Sequence, residues 1–408
     1  MRVAFVCDDT TKYGDANLSL YYNLAKYINL QGGEACIIGH CENASDMLEE
    51  TVEGVKNYRF CYPINRINNE IFAAFEKDRS YLQLGLRLLK HPLVAFTVFA
   101  RVVMGRFPIE KRYIQLIERL HREKPFDAVV ACGGVFQPIH ALAKCRINCK
   151  RIGYMLDPHW KHKDQKWYYK REELFAWEKL DRIVVPKLLA QEYTDAEFQP
   201  YREKLIAAEF PGIAGHSTAE TEVSLDVGKV NLVFAGNFYA NIRNPKYLFD
   251  LMDQMQDHVC LHILGGCYGY SEALSASMQR LTAEGKVKFH GMLPVSEART
   301  VMQQADILVN IGNSIENMLP SKIFEYFSTG KPVVHIQKIE KDPCLPYLET
   351  YQNGLVLPEW DAVLENAGKL EYFCGREQNT IPFETVASRF EACTIPYVAN
   401  QLLNGEKR

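Results

Sequence analysis

The run NMLPSKIFEYFSTGKPVV, residues 317–334, decides how this chain is read. Its tail is plain. Gly330 suits the end of a helix, and the β-branched pair Val333 and Val334 suits the interior of a parallel sheet. Its head sets Pro320, Ser321 and Lys322 before an aromatic-rich helix that carries one acid, Glu325. Pro320 fits the first helical position, which leaves the amides of Ser321 and Lys322 pointing out of the helix. Together with the positive end of the helix dipole they outline an anion site, to which Lys322 or the Ser321 hydroxyl can add. Glu325, four residues after Ser321, stands about 6 Å along the axis on the same face. A carboxylate there can accept both hydroxyls of a ribose, so one helix would hold a nucleotide by phosphate and sugar. The same residues also fit a capped helix with an exposed lysine and glutamate.

Outward from that run, short apolar stretches alternate with helix-length segments, the pattern of parallel α/β sheets. The first series is RVAFVCD, a helix over 16–30, EACIIGH, FDAVVAC, RIGYML, a helix near 164–179, and RIVVP. A second series runs VNLVFAG, VCLHILGG, VKFHGML, ADILVNIG and KPVVHIQ. Between them GHSTAETEVSLDVGK is poor in bulky apolar residues and reads as a linker. The expected organisation is a first Rossmann-like domain over 1–212, a linker over 213–228, and a second Rossmann-like domain over 229–380. A terminal segment, 381–408, carries helix-spaced Val386, Phe390, Ile395 and Val398 and is expected to pack back across both domains. Two such sheets facing each other would bind ligands at the carboxyl ends of their strands.

Composition removes several classes of function. With 408 residues, 47% of them hydrophobic, the chain can bury two cores. A net charge of −3 gives no general attraction to nucleic acid. The twelve cysteines include no CxxC pair, so neither a zinc site nor a disulfide scaffold is signalled, and reduced thiols are expected. MRVAFVCDD enters a strand directly, without the apolar core and cleavage site of a secretory signal, so a cytoplasmic location is expected. No window holds eighteen uncharged apolar residues. Residues 81–107, YLQLGLRLLKHPLVAFTVFARVVMGRF, come nearest: Arg87, Lys90, Arg101 and Arg106 punctuate apolar residues with no acid among them. This is either a basic amphipathic segment for a membrane interface or a buried hairpin, broken at Pro92, whose cations snorkel outward.

In the second domain, AGNFYANIRNPKYL follows the first strand. Gly236 there allows close backbone approach, and Arg243 heads the next helix, where its forked donors can grip a diphosphate. Gly265 and Gly266 end the next strand and Gly291 the one after, baring backbone near Met292 and Leu293 where a flat base can be read. In the first domain, DDTTKYGDANLSLYYNLA places Gly14 in a tight turn before a helix, which either approaches a donor group or merely precedes a helix capped by Asp15 or Asn17. RIGYMLDPHWKHKDQ places Asp157 and His159 after a strand; Asp157 also fits a turn before Pro158.

These residues resemble the retaining glycosyltransferases of the GT-B fold, in particular the large group often called family 4. The resemblance covers nearly the whole chain and is strongest over 230–358, where HGMLPVSEARTVMQQADILVNIGNSIENMLPSKIFEYFSTGKPVV is similar to the family's nucleotide-sugar signature. It implies that the second domain holds a nucleoside diphosphate sugar, contacted from Asn317, Leu319, Pro320 and Ser321, and that Glu325 binds ribose. The family often carries a second glutamate near the donor sugar, but the matching position here is Asn317, beside Glu316. Asn237 stands where an arginine is common, Arg243 matches the retained cation, and Lys322 makes up the missing charge. The resemblance also gives Gly14 to the first loop, Asp157 or His159 to the donor sugar, and the first domain to the acceptor. It implies front-face transfer with retention, no cofactor and no metal, with Arg243 and Lys322 stabilising the leaving diphosphate. The activity so implied is a hexosyltransferase acting on a glycan or lipid-linked acceptor in bacterial surface polysaccharide assembly. Two alternatives share the site: a sugar-nucleotide epimerase, and a noncatalytic nucleotide-sugar-binding subunit.

Overall fold

Runs such as AVVACG (128–133) and VCLHIL (259–264) carry hardly a polar residue because both faces of their strands are covered, and every residue in them is buried. The computed structural model describes residues 1–10, 16–41, 48–62, 67, 71, 80–104, 107–133, 136–156, 159–160, 167–215, 219–240, 242–268, 272–316, 318–377 and 379–405. The chain divides into two units, Met1–Glu209 with Ile395–Arg408, and Phe210–Thr394.

In the first unit the strands are β1 (Arg2–Asp9), β2 (Glu34–Cys41), β3 (Glu49–Val52), β4 (Val55–Cys61), β5 (Ala128–Gly133), β6 (Lys150–Met155), β7 (Arg182–Pro186) and β8 (Leu205–Ala208). They form one sheet in the order β3-β4-β2-β1-β5-β6-β7-β8. Only β3 runs antiparallel to its neighbour. β1 pairs with β2 on one side and β5 on the other, so the strand order reverses around it. The helix Ala16–Leu30 follows β1. Helices Glu110–Glu123, Gln137–Lys144 and Trp167–Lys179 contribute Tyr113, Ile117, Leu142 and Trp177 to a core beneath the sheet.

The second unit has β9 (Val230–Ala235), a short β10 (Phe238–Tyr239), β11 (Val259–Leu264), a short β12 (Cys267–Tyr268), β13 (Val287–Gly291), β14 (Ile307–Ile311), β15 (Val333–Gln337) and β16 (Gly354–Pro358). Its main sheet is ordered β13-β11-β9-β14-β15-β16, parallel throughout. The few polar side chains inside it are paired, because burying an unpaired polar group costs far more than burying a bonded one. Asn310 and His335 are register partners on β14 and β15, and the amide donates to the ring nitrogen at 2.8 Å.

The stretch 213–228, expected as a linker, lies in the second unit, and its described residues are tied there. Ala219 exchanges two hydrogen bonds with the Thr300 hydroxyl, each 2.9 Å, and the Asp226 amide donates to Asn231. Among its described residues the terminal segment has two α-helices joined by a short 3-10 turn, Glu391–Cys393. Phe383–Arg389 belongs to the second unit and Ile395–Asn404 to the first, where Lys150 and Arg182 donate to its last carbonyls. Val386, Phe390, Ile395 and Val398 are all buried. All twelve cysteines are free. Among the described residues no helix is long and apolar enough to cross a membrane.

Candidate active site

β9 opens the second sheet at its centre. The chain then moves outward through β11 and β13, and returns to the other side of β9 with β14. At such a reversal the loops leaving the two central strands diverge and open a crevice at their carboxyl ends. The loops after β9 and β14 carry Gly236, Asn237 and Arg243 on one side and Asn313, Met318 and Pro320 on the other, with Lys322 at the head of the helix that follows.

Three sets of contacts fix these loops. The first joins the loop after β9 to the one after β11. The Gly266 amide donates to Asn237 Oδ1 at 2.8 Å, and the Phe238 amide donates to the Gly266 carbonyl at 3.0 Å. Gly265 is the glycine this approach requires: a Cβ on it would lie 1.9 Å from the Gly236 carbonyl oxygen, at a φ of +151°. Gly236 itself would tolerate a Cβ, whose nearest neighbour would be 3.4 Å away. The close approach expected at Gly236 is thus made by Gly265 toward it. Asn237 serves as a tie between loops.

The second set crosses the reversal. Arg243 donates from Nη2 and Nε to Asn313 Oδ1 at 3.0 and 3.3 Å, and Asn313 Nδ2 donates to the Met318 carbonyl at 2.9 Å. The Ser314 amide and hydroxyl both donate to the Ile242 carbonyl. Arg243 is half-buried, and among the described residues no carboxylate pairs with it. Burial pulls its pKa below the ordinary arginine value, a sign that the charge has lost water without gaining an acid.

The third set seats the helix. Tyr326, fully buried, donates from its hydroxyl to the Ala235 carbonyl at 3.0 Å and accepts from the Ala235 amide at 2.9 Å. It thereby anchors the helix Lys322–Ser328 to the end of β9. Pro320 lies outside that helix. Ser321 occupies the cap with a helical backbone, and the first turn closes through the bonds from Ile323 to Pro320 and from Phe324 to Ser321. The turn is tight because proline cannot donate and its carbonyl accepts three residues on. Glu325 is buried, and Lys322 Nζ donates to its Oε2 at 2.7 Å.

Residues 229–371 match the family model described as glycosyl transferases group 1. Over that stretch the chain is similar to this family. Among curated proteins none matches the chain by sequence. Solved structures resemble the whole chain: a lipopolysaccharide outer core galactosyltransferase, WaaB, in its apo form is 13% identical, covers all of both chains and has a TM-score of 0.54. Anabaena HepE in complex with UDP-glucose is 14% identical over 99% of this chain and 95% of its own, at 0.58. Sucrose-phosphate synthase from Thermosynechococcus elongatus is 12% identical over 99% and 94%, at 0.57. At these identities the likeness shows the fold, which is GT-B, with two Rossmann-like domains.

Within the second unit the structure brings together Arg243, Lys322, Glu325, Gly236, Asn237, Gly265 and Gly266 through these ties. Pro320 is buried and Leu319 and Ser321 are half-buried on the same loop. Met292 is exposed and Leu293 half-buried after β13, the edge strand beyond β11. Gly14, Asp157 and Asn317 lie outside the described residues. His159, expected at the open end of its sheet, is buried. Its Nε2 lies 2.6 Å from Glu172 Oε2, and its ring stacks on Phe136 at 4.1 Å. The cause is Glu173, whose Oε1 accepts the amides of His159 and Trp160 and the Tyr193 hydroxyl, drawing that loop inward.

Asn313, Tyr326, Gly312 and Asp342 escaped the sequence reading. A Cβ on Gly312 would lie 2.1 Å from Asp342 Oδ2, so this carboxylate packs against the backbone that leads to Asn313. Asp342 also accepts from His335 Nε2 at 3.1 Å and from the Cys344 amide at 2.9 Å. Burial raises its pKa, but the bonds to His335 and Cys344 outweigh that and hold it below the usual range. His335, Asp342 and Cys344, like Asp226, Cys260 and His262, are spaced as metal ligands are. Burial drives both thiols up, away from the thiolate a metal takes, and the imidazoles are bonded to neighbouring side chains.

Proposed function

We propose that the chain transfers a hexose, with retention at the anomeric carbon, from a nucleoside diphosphate sugar to a glycan or lipid-linked acceptor. The observation that carries this reading is Arg243: a half-buried guanidinium at the reversal of a Rossmann-like sheet, held by the neutral amide of Asn313 and facing no described carboxylate. A diphosphate supplies the missing negative charge, and the fork of donors matches its oxygens. Lys322, now on Glu325, turns to the phosphate when donor enters, and Glu325 takes the ribose hydroxyls. As the sugar–oxygen bond breaks, the departing diphosphate gains charge and accepts the proton of the acceptor hydroxyl. Arg243 and Lys322 stabilise that charge, each by about 3 kcal/mol on the scale of oxyanion donors. Cations on side chains do the work of a metal, so the reaction needs none, and no cofactor beyond the donor.

Two of the similar structures support the finer assignment: HepE is in complex with UDP-glucose, and WaaB is a lipopolysaccharide outer core galactosyltransferase. A uridine diphosphate sugar and a surface-polysaccharide acceptor, met at the cytoplasmic face of the membrane, follow as the donor and acceptor to test first. The test is proton NMR of fresh product made with EDTA present. A retained anomeric configuration and undiminished rate are expected. An inverted product, or activity lost to EDTA and restored by magnesium or manganese, overturns the mechanism.

A further inference from the structure

Asp342 lies in the loop beyond β15, and both of its carboxylate oxygens are used. Oδ1 accepts from the Cys344 amide at 2.9 Å, and Oδ2 accepts from His335 Nε2 at 3.1 Å. Asn310 Nδ2 donates to His335 Nδ1 at 2.8 Å, so the proton of the ring sits on Nε2 and points at the carboxylate. The same amide reaches Cys344 Sγ at 3.7 Å and closes the set. The side chains of Asp342 and His335 have no exposed surface, so neither meets a ligand. A satisfied polar set of this kind fixes one arrangement of the backbone around it. It is a poor way to add stability, because apolar residues of similar volume do as well without stripping a carboxylate of water. Its use here is position.

The backbone held in place is that of Gly312, the first residue after β14. Its amide donates to the Ile336 carbonyl on β15 at 2.9 Å. On its other side a Cβ would stand 2.1 Å from Asp342 Oδ2, so the glycine and the carboxylate are in contact. The next residue is Asn313, whose Oδ1 takes two donors of Arg243. A single peptide bond thus separates the residue that Asp342 braces from the one that aims the guanidinium. Asn313 Nδ2 is committed to the Met318 carbonyl, so the side chain cannot adjust alone without breaking that bond. Cys344 gives a second link. Burial and then Asp342 raise its thiol pKa, and the nearby charge of Arg243 opposes the rise. We propose that Asp342 is a positioning residue: held by His335, it braces Gly312 and so sets the direction in which Asn313 aims Arg243 at a donor diphosphate. The proposal rests on the glycosyl-transfer reading, which gives Arg243 a diphosphate to meet.

The test is a double-mutant cycle, read by calorimetric titration of UDP, GDP and ADP into the parent, Asp342→Asn, Arg243→Ala and the double variant. The amide of Asp342→Asn keeps the shape of the carboxylate but offers one acceptor where two are used. In the parent background the substitution is expected to weaken the best-binding diphosphate by about tenfold, and in the Arg243→Ala background by less than about twofold. Melting temperature should fall by a similar amount in both backgrounds, since it reads only the lost bonds. Asp342→Ser repeats the cycle if the asparagine variant misfolds: its hydroxyl can still accept from the Cys344 amide, as serine does in such turns, while it withdraws from Gly312 and His335. Unchanged affinity in a folded variant, or the same weakening in both backgrounds, overturns the role of Asp342 and leaves the diphosphate reading standing. If no diphosphate binds the parent, that reading falls and the role falls with it.

Discussion

Lys322 Nζ lies 2.7 Å from Glu325 Oε2, one turn along a helix whose next residue, Tyr326, is bonded to the end of β9. The carboxylate is nearly buried and the ammonium partly exposed, with side-chain exposures of 6% and 21%. Removing the cation leaves charge in a place poor in water. A surface pair is worth under about 1 kcal/mol, whereas breaking a buried one costs about 3 to 5. Lys322→Met is expected to fall between, near 2 kcal/mol, read as a lower urea midpoint with unchanged slope. Lys322→Met with Glu325→Gln should recover most of the loss. No change in the single variant would mark the pair as a solvated contact.

Arg243→Ala and Asn313→Ala separate charge from orientation. The first removes a group whose interaction strengthens as the diphosphate departs, so kcat and kcat/KM should both fall about 100-fold. The second leaves the cation but frees its fork, and a loss of about tenfold is expected, mainly in KM. Equal and small effects would show that Arg243 merely braces the loop.

Two neighbouring glycines should respond in opposite ways. Gly265→Ala drives a Cβ to within 1.9 Å of the Gly236 carbonyl, where no flexible side chain can yield. Overpacking of this kind costs about 1 to 3 kcal/mol or more, and a lower melting temperature is expected. Gly236→Ala meets nothing closer than 3.4 Å and should melt as the parent does. The reverse order would place the tight contact elsewhere.

Acid should weaken the second unit through His262. Burial, then the charge of His290, pulls its pKa from an ordinary 6.5 to about 4, against the opposing pull of Asp226. Lys288, bonded to Asp226, and Lys229 add to the lowering. Between those two values the unfolded chain binds a proton that the folded chain refuses. Stability is therefore full above about pH 6.5 and is lost as pH falls toward 4, by up to about 3 kcal/mol. Melts from pH 7.5 to 4.5 should show that slope in the parent and a shallower one in His262→Gln, whose amide can still donate to Asn231.

The parallel strands and the helix after β14 were legible because burial on both faces leaves near-continuous apolar runs, and β9, β11, β14 and β15 stand where such runs do. β3, β4 and β8 were not. β3 and β4 form the sheet's antiparallel edge and alternate in exposure, and they carry Glu49, Lys56, Asn57 and Arg59 in place of an apolar run. Arg59 is buried all the same, bonded to Thr10 and Glu50, a pairing invisible in the chain order. β8 is only four residues long. At the candidate site, Arg243 and Glu325 were singled out by residue type and position. Asn313 and Tyr326 were not, since an asparagine after a strand and a tyrosine in a helix carry no special spacing. Their parts depend on loops brought together by the sheet reversal. The burial of His159 was hidden for the same reason: its amide donates to Glu173, fourteen residues on.

The central claim is that the helix following β14 reads a nucleotide, and calorimetric titration of UDP, GDP and ADP into the parent and Glu325→Ala tests it most directly. One diphosphate should bind the parent. In the variant, confirmed folded by its melting curve, the loss of bonds to the ribose should cost about 1.5 to 3 kcal/mol, a weakening of roughly 10- to 150-fold. If no diphosphate binds, or if the folded variant binds within a factor of two of the parent, Glu325 holds no ribose and the nucleotide assignment falls.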